Sequence, residues 1–369
     1  MATQDVPCPA ELLPLGTPSH EVMAMARPEN VTDKGYYNLP FLKRPLWGWE
    51  IAWYFFCEGI SAGAYLLATM AELFGRGRYR PMVRVARYLS FAFIVPAPPL
   101  LIADLGRPER FHHMLRVFKP MSPMNLGAWA LSAYSLPVTL IAAQQAAEDG
   151  LPFTGLIPGA VRNLHTKTIA VAGLPAAMTM ISYPGVLLSM TSTPVWTRSR
   201  WLGALISCSS MSMAVAATSL ALRLSVSNDA SLKVLNKIEK VAALAEAGTL
   251  AGYLLTSGET ARPLTSGKQA KTMWAGAIAC GLVLPALMTS GKREGKRGFG
   301  ILGSLLTLAG GLALKWALTH AGRESALDPE ANRYATSPNK SAPGWMPPTT
   351  QTNEVNRGTE IEKTEPRRH

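Results

Sequence analysis

The chain has 369 residues, of which 48% are hydrophobic and only 16% are charged. Soluble globular chains carry about 25% charged residues, so this composition excludes an ordinary soluble fold. The formal net charge is +12, but the basic residues lie in short clusters between long apolar runs, which excludes a typical nucleic-acid reader and indicates an integral membrane protein.

Eight apolar segments long enough to cross a bilayer can be read along the chain. Because backbone groups in lipid must satisfy their own hydrogen bonds, each segment is predicted to be a helix. The second contains Pro96, Pro98 and Pro99 and is expected to be kinked or broken near its end, and the sixth is the least apolar. The predicted spans are 50–74, 86–103, 126–143, 169–190, 203–224, 238–256, 272–290 and 299–319.

These spans predict an all-α integral membrane protein, an eight-helix bundle over residues 46–322. Residues 1–45 and 323–369 form polar tails rich in Pro, Thr, Asn and charge, which favours either disorder or contact with a partner. An even number of spans places both tails on one side. Counts of Lys and Arg in the loops favour the extracytoplasmic side of the cytoplasmic membrane for the tails, by the positive-inside rule.

The cysteines and histidines lack the spacing of metal sites. Cys8, Cys57, Cys208 and Cys280 form no CxxC pair, which argues against iron–sulfur or structural zinc sites. The histidines lie outside the centres of the spans, where they could not clamp a haem between helices. We therefore expect no haem and no metal in this chain, and any electron transfer must use another subunit's centres or an organic carrier.

Ionisable residues inside a membrane span are candidates for function because burial of charge in lipid is costly. In the first span, Glu58, Tyr65 and Glu72 follow one another at intervals of seven residues and so share one helix face. Glu246 and Lys315 are the other deep charges, and Gly59 and Gly63 would let a neighbouring helix approach closely. Two interpretations remain open for the charges, a structural Glu–Lys ion pair and a route for protons or substrate. The polar stripe of the first span comprises Tyr54, Glu58, Ser61, Tyr65 and Glu72.

The start of the first span is rich in aromatic residues, with Trp47, Trp49, Glu50, Trp53 and Tyr54 in close succession. Tryptophans at a membrane boundary commonly form an interfacial belt. A pocket for a flat quinone ring is the alternative, because aromatic faces and a nearby acid suit such a headgroup.

The second span ends in the segment DLGRP, residues 104–108. Its Gly and Pro stop the helix and leave Asp104 and Arg107 at the surface of the bundle. A local contact between this acid and this base within the turn is the simpler interpretation.

Five segments in order resemble the NrfD/PsrC family, the membrane subunits of polysulfide reductase and related complexes. The resemblance covers about residues 46–322 and leaves out both tails. The matching segments are IAWYFFCEGISAGAYLL (51–67), LIADLGRPERFHHML (101–115), SPMNLGAW (122–129), YPGVLLSMTSTPVW (183–196) and GGLALKWALTHAG (310–322).

The resemblance implies an eight-helix anchor without a metal cofactor, which exchanges electrons between a quinone pool (menaquinone or ubiquinone) and a docked iron–sulfur, ferredoxin-like subunit. That partner usually connects to a molybdopterin or other catalytic subunit. By the same resemblance the quinone pocket would comprise Glu50, Trp53, Tyr54, Asp104 and Arg107. His165 fits less well because it precedes the fourth span, on the opposite side.

Three positions depart from the family pattern. Some members have His in place of Trp53. The family often has Gly in place of Glu58 and usually has Arg in place of Lys315. They leave the proton donor open, with Glu58, Glu72, Glu246 and Lys315 as candidates for proton transfer. Two alternative functions remain, a structural anchor whose quinone site has decayed and a transporter without a redox role.

Overall fold

The computed structural model describes residues 42–75, 77–151, 155, 159–162, 165–225, 229–288, 297–328 and 331–332. The polar tails therefore lie almost entirely outside the described residues. Every regular element in the described ranges is helical. The main helices are α1 (Trp49–Phe74), α2 (Arg80–Ile94), α3 (Ala97–Ala103), α4 (Pro123–Glu148), α5 (Thr166–Ala172), α6 (Leu174–Ser189), α7 (Leu202–Ser225), α8 (Asp229–Ser257), a π-helix (Thr272–Val283), α9 (Leu284–Met288) and α10 (Arg297–Ser325).

Helix α1 is the central element of the bundle, and 89% of its most apolar 18-residue window is buried. Its two glycines explain the close packing on α7. A Cβ atom at Gly59 would lie 2.5 Å from Ser210 Oγ, and one at Gly63 would lie 2.5 Å from Ala214 Cβ. The predicted small-residue pair is thus the surface on which α7 packs against α1.

The second predicted span is broken, as its prolines indicate. Helix α2 ends at Ile94 and α3 begins at Ala97. The break falls at Val95 and Pro96, since a proline ring displaces the preceding turn and removes one N–H donor. Asp104 directly follows α3, so the break decides where this acid lies.

Six helical stretches are long and apolar enough to cross a membrane, and they correspond to six of the eight predicted spans. They make the protein a multi-pass membrane protein. The sixth predicted span coincides with α8, 29 residues long, and the seventh with a shorter apolar helix, Thr272–Met288. The count of eight crossings stays a prediction. The six are Trp49–Phe74, Arg80–Ala103, Pro123–Glu148, Thr166–Ser189, Leu202–Ser225 and Arg297–Ser325.

The bundle has two ends, which we call the near face and the far face. The near face carries the start of α1 and the end of α10. There the Trp47 and Trp196 rings stack with centroids 5.3 Å apart, and Val195 N–H donates to Ser325 Oγ at 3.2 Å. The far face carries the end of α1 and the start of α2. Both ends of the described membrane region therefore lie at the near face.

Candidate functional site

Two carboxylates meet at the N-terminus of α1, on the near face. The backbone N–H of Gly48 donates a hydrogen bond to Asp104, and Glu50 is close enough to interact electrostatically with it. The Glu50 side chain bends back over Gly48, since one of its carboxylate oxygens fills the place of the missing glycine Cβ. The exposed N–H groups of a helix N-terminus favour negative charge, which explains how two acids can lie together here.

The environment of Asp104 shifts its proton equilibrium. Burial raises the pKa of this carboxyl from its ordinary 3.8 to about 6, the hydrogen bond from Gly48 opposes the shift, and the nearby Glu50 adds to it. A carboxyl that exchanges its proton near neutral pH can act as a general acid or base. The structure thus brings together two of the five predicted pocket residues, Glu50 and Asp104, in a chemically suitable setting.

Trp53 and Tyr54, both predicted for the pocket, lie in different surroundings. The Trp53 ring is 38% exposed and packs edge-on against Phe56, with centroids 5.7 Å apart. Tyr54 is 1% exposed and lies inside the bundle. Successive residues of an α-helix point about 100° apart, so one ring faces the lipid side and the other the interior.

Arg107 makes no ion pair with these acids among the described residues, and His165 lies at the other end of the bundle. Arg107 is exposed in the turn after α3, and the described residues show no ion pair between it and Asp104, so the local acid–base contact considered above is absent there. His165 is exposed immediately before α5, at the far face. It is therefore at the opposite end of the bundle from Glu50.

A cluster of charges lies deep in the bundle, between α1, α7, α8 and α10. Glu58, Lys315 and Glu246 are 0%, 1% and 6% exposed. Lys315 is close enough to both carboxylates to interact with them electrostatically, yet its Nζ donates to the Ile206 carbonyl at 3.3 Å. Neither Glu58 oxygen accepts a hydrogen bond from any described residue. Lys315 therefore lies within electrostatic reach of both acids, but no direct ion pair joins it to either among the described residues.

Glu72 is part of a tight network instead. Arg87 donates to Glu72 Oε2 at 2.5 Å and to Gln145 Oε1 at 2.8 Å. The Arg87 side chain is 8% exposed and that of Glu72 is 18% exposed. A partly buried carboxylate held by a guanidinium is suited to joining helices, and here it joins α1 to α2.

On the near-face side of this network, hydroxyl groups connect α1, α2 and α4. Ser61 donates to the Ser90 carbonyl at 2.7 Å, and Tyr134 Oη lies 2.9 Å from Ser61 Oγ and 3.2 Å from Ser90 Oγ. The polar stripe of α1 is therefore divided. Ser61, Tyr65 and Glu72 are paired with α2, α4 and α5, whereas Tyr54 and Glu58 have side-chain oxygens without a partner among the described residues.

Sequence reasoning missed several buried charges, including Arg87, Arg223 and Glu239. Each lies within the first or last two residues of its predicted span, so hydropathy assigned it to the membrane boundary. The helices themselves extend beyond these spans. A signal was nevertheless present for Arg87, because residues 83, 86, 87, 90 and 94 follow one another at helical spacing and include its position.

Within the described part of the chain, no group of three or more His, Cys, Asp or Glu side chains is placed to hold a metal ion. The candidate site consists of the near-face acids, the exposed ring of Trp53 and the deep charge cluster.

The family description "Polysulphide reductase, NrfD" matches residues 39–324, and the chain belongs to this family of membrane proteins. The C component of polysulfide reductase from Wolinella succinogenes is 28% identical over 307 residues, which cover 75% of this chain and 94% of that protein. The C component of selenate reductase from Mesobacillus selenatarsenatis is 32% identical over 98 residues, 27% of this chain and 22% of that protein. The Hdr-like menaquinol oxidoreductase integral membrane subunit of Archaeoglobus fulgidus is 30% identical over 76 residues, 21% of this chain and 19% of that protein.

Proposed function

We propose that this chain is the quinone-interacting membrane subunit of a multi-subunit redox complex. The relatives support membership of such a complex, because they are named as components of polysulfide and selenate reductases and as the integral membrane subunit of a menaquinol oxidoreductase. The observation that carries the quinone assignment is the near-face arrangement of Asp104, Glu50 and the Gly48 N–H beside a half-exposed indole.

The residues at this site fit a quinone. Trp53 offers an aromatic surface on the lipid side, where a membrane-soluble molecule arrives. Asp104 and Glu50 lie about one to two turns away, at the membrane boundary, and can donate or accept protons at the oxygens of a headgroup. When bound, a quinone supplies the two-electron chemistry that the amino-acid side chains themselves lack.

In this proposal each residue has a separate task. Trp53 holds the ring by stacking and Asp104 exchanges a proton. Burial, with a smaller contribution from the nearby Glu50, makes the Asp104 carboxyl bind its proton more tightly. The Gly48 N–H orients Asp104. Electrons pass between the quinone and an iron–sulfur subunit docked at the near face, which connects to a molybdopterin or other catalytic subunit.

The experiment measures quinone-dependent electron transfer by three purified complexes, which contain the wild-type chain, Trp53→Ala or Asp104→Asn. Trp53→Ala is expected to raise KM for a quinone analogue because a stacking surface is lost, with little change in kcat. Asp104→Asn is expected to lower kcat by about 100-fold, the usual contribution of one general acid or base. Mass spectrometry of the same preparation identifies the partner subunits.

Trp129→Ala is the matched control, since this indole is also on the near-face half of its helix and is 37% exposed, but it packs on Phe118 at 5.9 Å. It should leave KM unchanged. If both test variants assemble normally and retain wild-type KM and kcat, the quinone site lies elsewhere or is absent, and a purely structural anchor is favoured.

A further inference from the structure

A cavity of about 530 Å³ lies between α8, the π-helix with α9, and α10, and we call it the α8 crevice. Helix α8 packs mainly on α7, and the π-helix packs mainly on α10, so a gap stays open between α8 and the π-helix. Glycines explain the close approach of the π-helix to α10, since a Cβ atom at Gly281 would lie 2.9 Å from Gly310 Cα. The cavity is within the size range of small-molecule sites, about 300–1,000 Å³.

The crevice opens sideways, towards the lipid. Its lining is mainly apolar, and three of the large side chains that line it, Leu244, Val283 and Leu287, are exposed. Exposed leucines on a membrane helix face lipid tails, which are equally apolar. On the α8 side, Ala243 and Ala247 leave room because their side chains are small. An apolar chain can therefore enter the crevice directly from the bilayer.

A row of lysines on α8 leads into this opening. Lys233, Lys237 and Lys240 follow one another at intervals of four and three residues, so they share one helix face. All three are exposed. Lys240 itself lines the crevice, and so does Leu244 one turn further along the same face. The positive row and the apolar crevice are therefore continuous.

The lysine row lies at the far boundary of the membrane. Helix α7 begins at Leu202 on the near-face side and ends at Ser225, so α8 starts at the far face. The predicted sixth span starts at residue 238, between Lys237 and Lys240. At such a boundary, a lysine lays its apolar stem along the protein and places its ammonium group among the lipid headgroups. The loop charges predict that this face is cytoplasmic, where anionic lipids give the membrane a negative surface.

The mouth of the crevice keeps an excess of positive charge. Glu239 is buried beneath the lysine row, and it interacts electrostatically with both Arg223 and Lys240. The three lysines outnumber this acid. The second carboxylate that lines the crevice, Glu246, lies deeper and close to Lys315. A ligand that matches both the mouth and the gap must therefore have an anionic head and an apolar chain.

We propose that the α8 crevice binds an anionic phospholipid, with one acyl chain in the apolar gap and the phosphate held by Lys237 and Lys240. Lysine ammonium groups bind phosphate as point charges and form charge-assisted hydrogen bonds with it. The bound chain connects α8 to the π-helix across the gap between them. The site is separate from the near-face acids, and this inference does not depend on the proposed function.

The other large cavity of the far face fits an anionic lipid less well. It has a volume of about 1200 Å³, and Arg84 and Arg87 are among the cations that line it. These two guanidinium groups are already held in ion pairs with Asp149 and Glu72. A phosphate there would compete with carboxylates of the protein, whereas at the α8 crevice the lysines outnumber the acid beside them.

The test uses the purified complex reconstituted in phosphatidylcholine vesicles that contain a small fraction of a photoreactive lipid. The lipid is either phosphatidylglycerol or phosphatidylcholine, each with the same diazirine-bearing acyl chain. After illumination, peptide mass spectrometry locates the adducts. In the wild-type complex, phosphatidylglycerol should label residues 240–247 and 282–287 at least 10-fold more than phosphatidylcholine does.

The double variant Lys237→Gln with Lys240→Gln tests the headgroup contact. Each lysine near a membrane surface strengthens binding of anionic lipid about 5-fold, so labelling by phosphatidylglycerol should fall by about 25-fold. Labelling by phosphatidylcholine should not change. Lys167→Gln is the matched control, because this lysine is also exposed at the far face, near the start of α5. It should match wild type.

Ala243→Phe tests the apolar part of the site. It keeps every charge but fills the gap, and should prevent labelling of the crevice. Ala245→Phe is its matched control, since Ala245 is exposed on α8 and points about 200° away from Ala243. Native mass spectrometry of the same complexes should show that wild type and Ala245→Phe retain one more phosphatidylglycerol than Ala243→Phe does. An equal number in all three would contradict the inference.

The wild-type complex alone can overturn the proposal, so the outcome does not require that every variant assembles. If the two photoreactive lipids label the crevice equally, or neither labels it, no anionic lipid is selected there and the inference is wrong. Excess unlabelled phosphatidylglycerol should compete with the photoreactive lipid. If a short-tailed quinone analogue competes instead and phosphatidylglycerol does not, the crevice is a quinone site and the inference is also wrong.

Discussion

Two groups of charged side chains inside the bundle differ in how they are partnered. In the region around Arg87, the guanidinium binds Glu72 and Gln145 at 2.5 and 2.8 Å. On α8, Glu239 keeps an oxygen without a hydrogen bond among the described residues, and Glu246 has only hydroxyls and a shared lysine nearby. A fully paired buried charge holds a structure in place, whereas a loosely paired one can change its protonation state. The same membrane protein thus fixes one group of charges in a tight network and leaves a similar group loosely paired.

The largest expected effect breaks the paired region. Arg87→Met retains the aliphatic bulk but leaves Glu72 and Gln145 without their partner. Removing one member of a buried ion pair costs about 3–5 kcal/mol. We expect the free energy of unfolding in detergent to fall by about 3 kcal/mol, as Glu72 remains partly accessible to water. Chemical denaturation followed by circular dichroism measures it.

Arg84→Met is the control for this change. Arg84 pairs with Asp149 at 2.8 Å, but its side chain is 57% exposed, and an exposed ion pair contributes about 1 kcal/mol or less. If the two variants lose equal stability, the Arg87 network has no special structural role and the contrast with the loosely paired acids of α8 disappears.

The contrast explains what the sequence could and could not predict. The polar stripe of α1 and its glycine pair could be predicted from the spacing of residues along the sequence. Residues seven apart share a helix face, and glycines four apart permit close packing of a second helix. The break near Pro96 followed from proline chemistry. These features depend on one helix and its periodicity alone.

The partners of the charges could not be predicted in this way, because they depend on how separate helices pack. Glu239 was placed at the edge of the sixth span, whereas α8 begins at Asp229 and so places Glu239 inside the bundle. The separation of Trp53 from Tyr54, by contrast, follows from the geometry of one helix alone. The proximity of Asp104 to Glu50 came only through the family resemblance, since residues 54 positions apart give no local signal.

A smaller effect is expected at the α1–α7 packing surface, which lies between the two regions. In Gly63→Ala the added methyl would lie 2.5 Å from Ala214 Cβ and 3.2 Å from the Ser210 carbonyl oxygen. Overpacking of this kind costs about 1–3 kcal/mol. Denaturation in detergent should show this loss.

The double variant Gly63→Ala with Ala214→Gly should recover part of the stability. In it, the methyl group added at position 63 takes the place of the methyl group removed at position 214. Gly106→Ala is the control, since a Cβ atom there meets nothing within 4 Å. A loss in Gly63→Ala that Ala214→Gly does not reduce would mean that this contact does not determine the helix spacing.

The smallest effect concerns Asp104, which sharpens the comparison because it belongs with the loosely paired acids although it lies at the near face. Burial raises its pKa to about 6 in the folded protein, above its ordinary 3.8. The folded state therefore binds the proton more tightly than the unfolded state does. This contribution to stability is fully present below about pH 4 and is lost as the pH rises through 6.

Differential scanning fluorimetry of wild type and Asp104→Asn measures this effect. We expect the Tm of wild type to fall relative to that of Asp104→Asn between these two pH values. Outside this window the two proteins should depend equally on pH. Glu109→Gln, at an exposed acid of the same loop, should follow the wild-type profile. If Asp104→Asn shows the same pH dependence as wild type across the window, the Asp104 proton is not held by the fold, and the near-face acid loses its suitability for proton exchange.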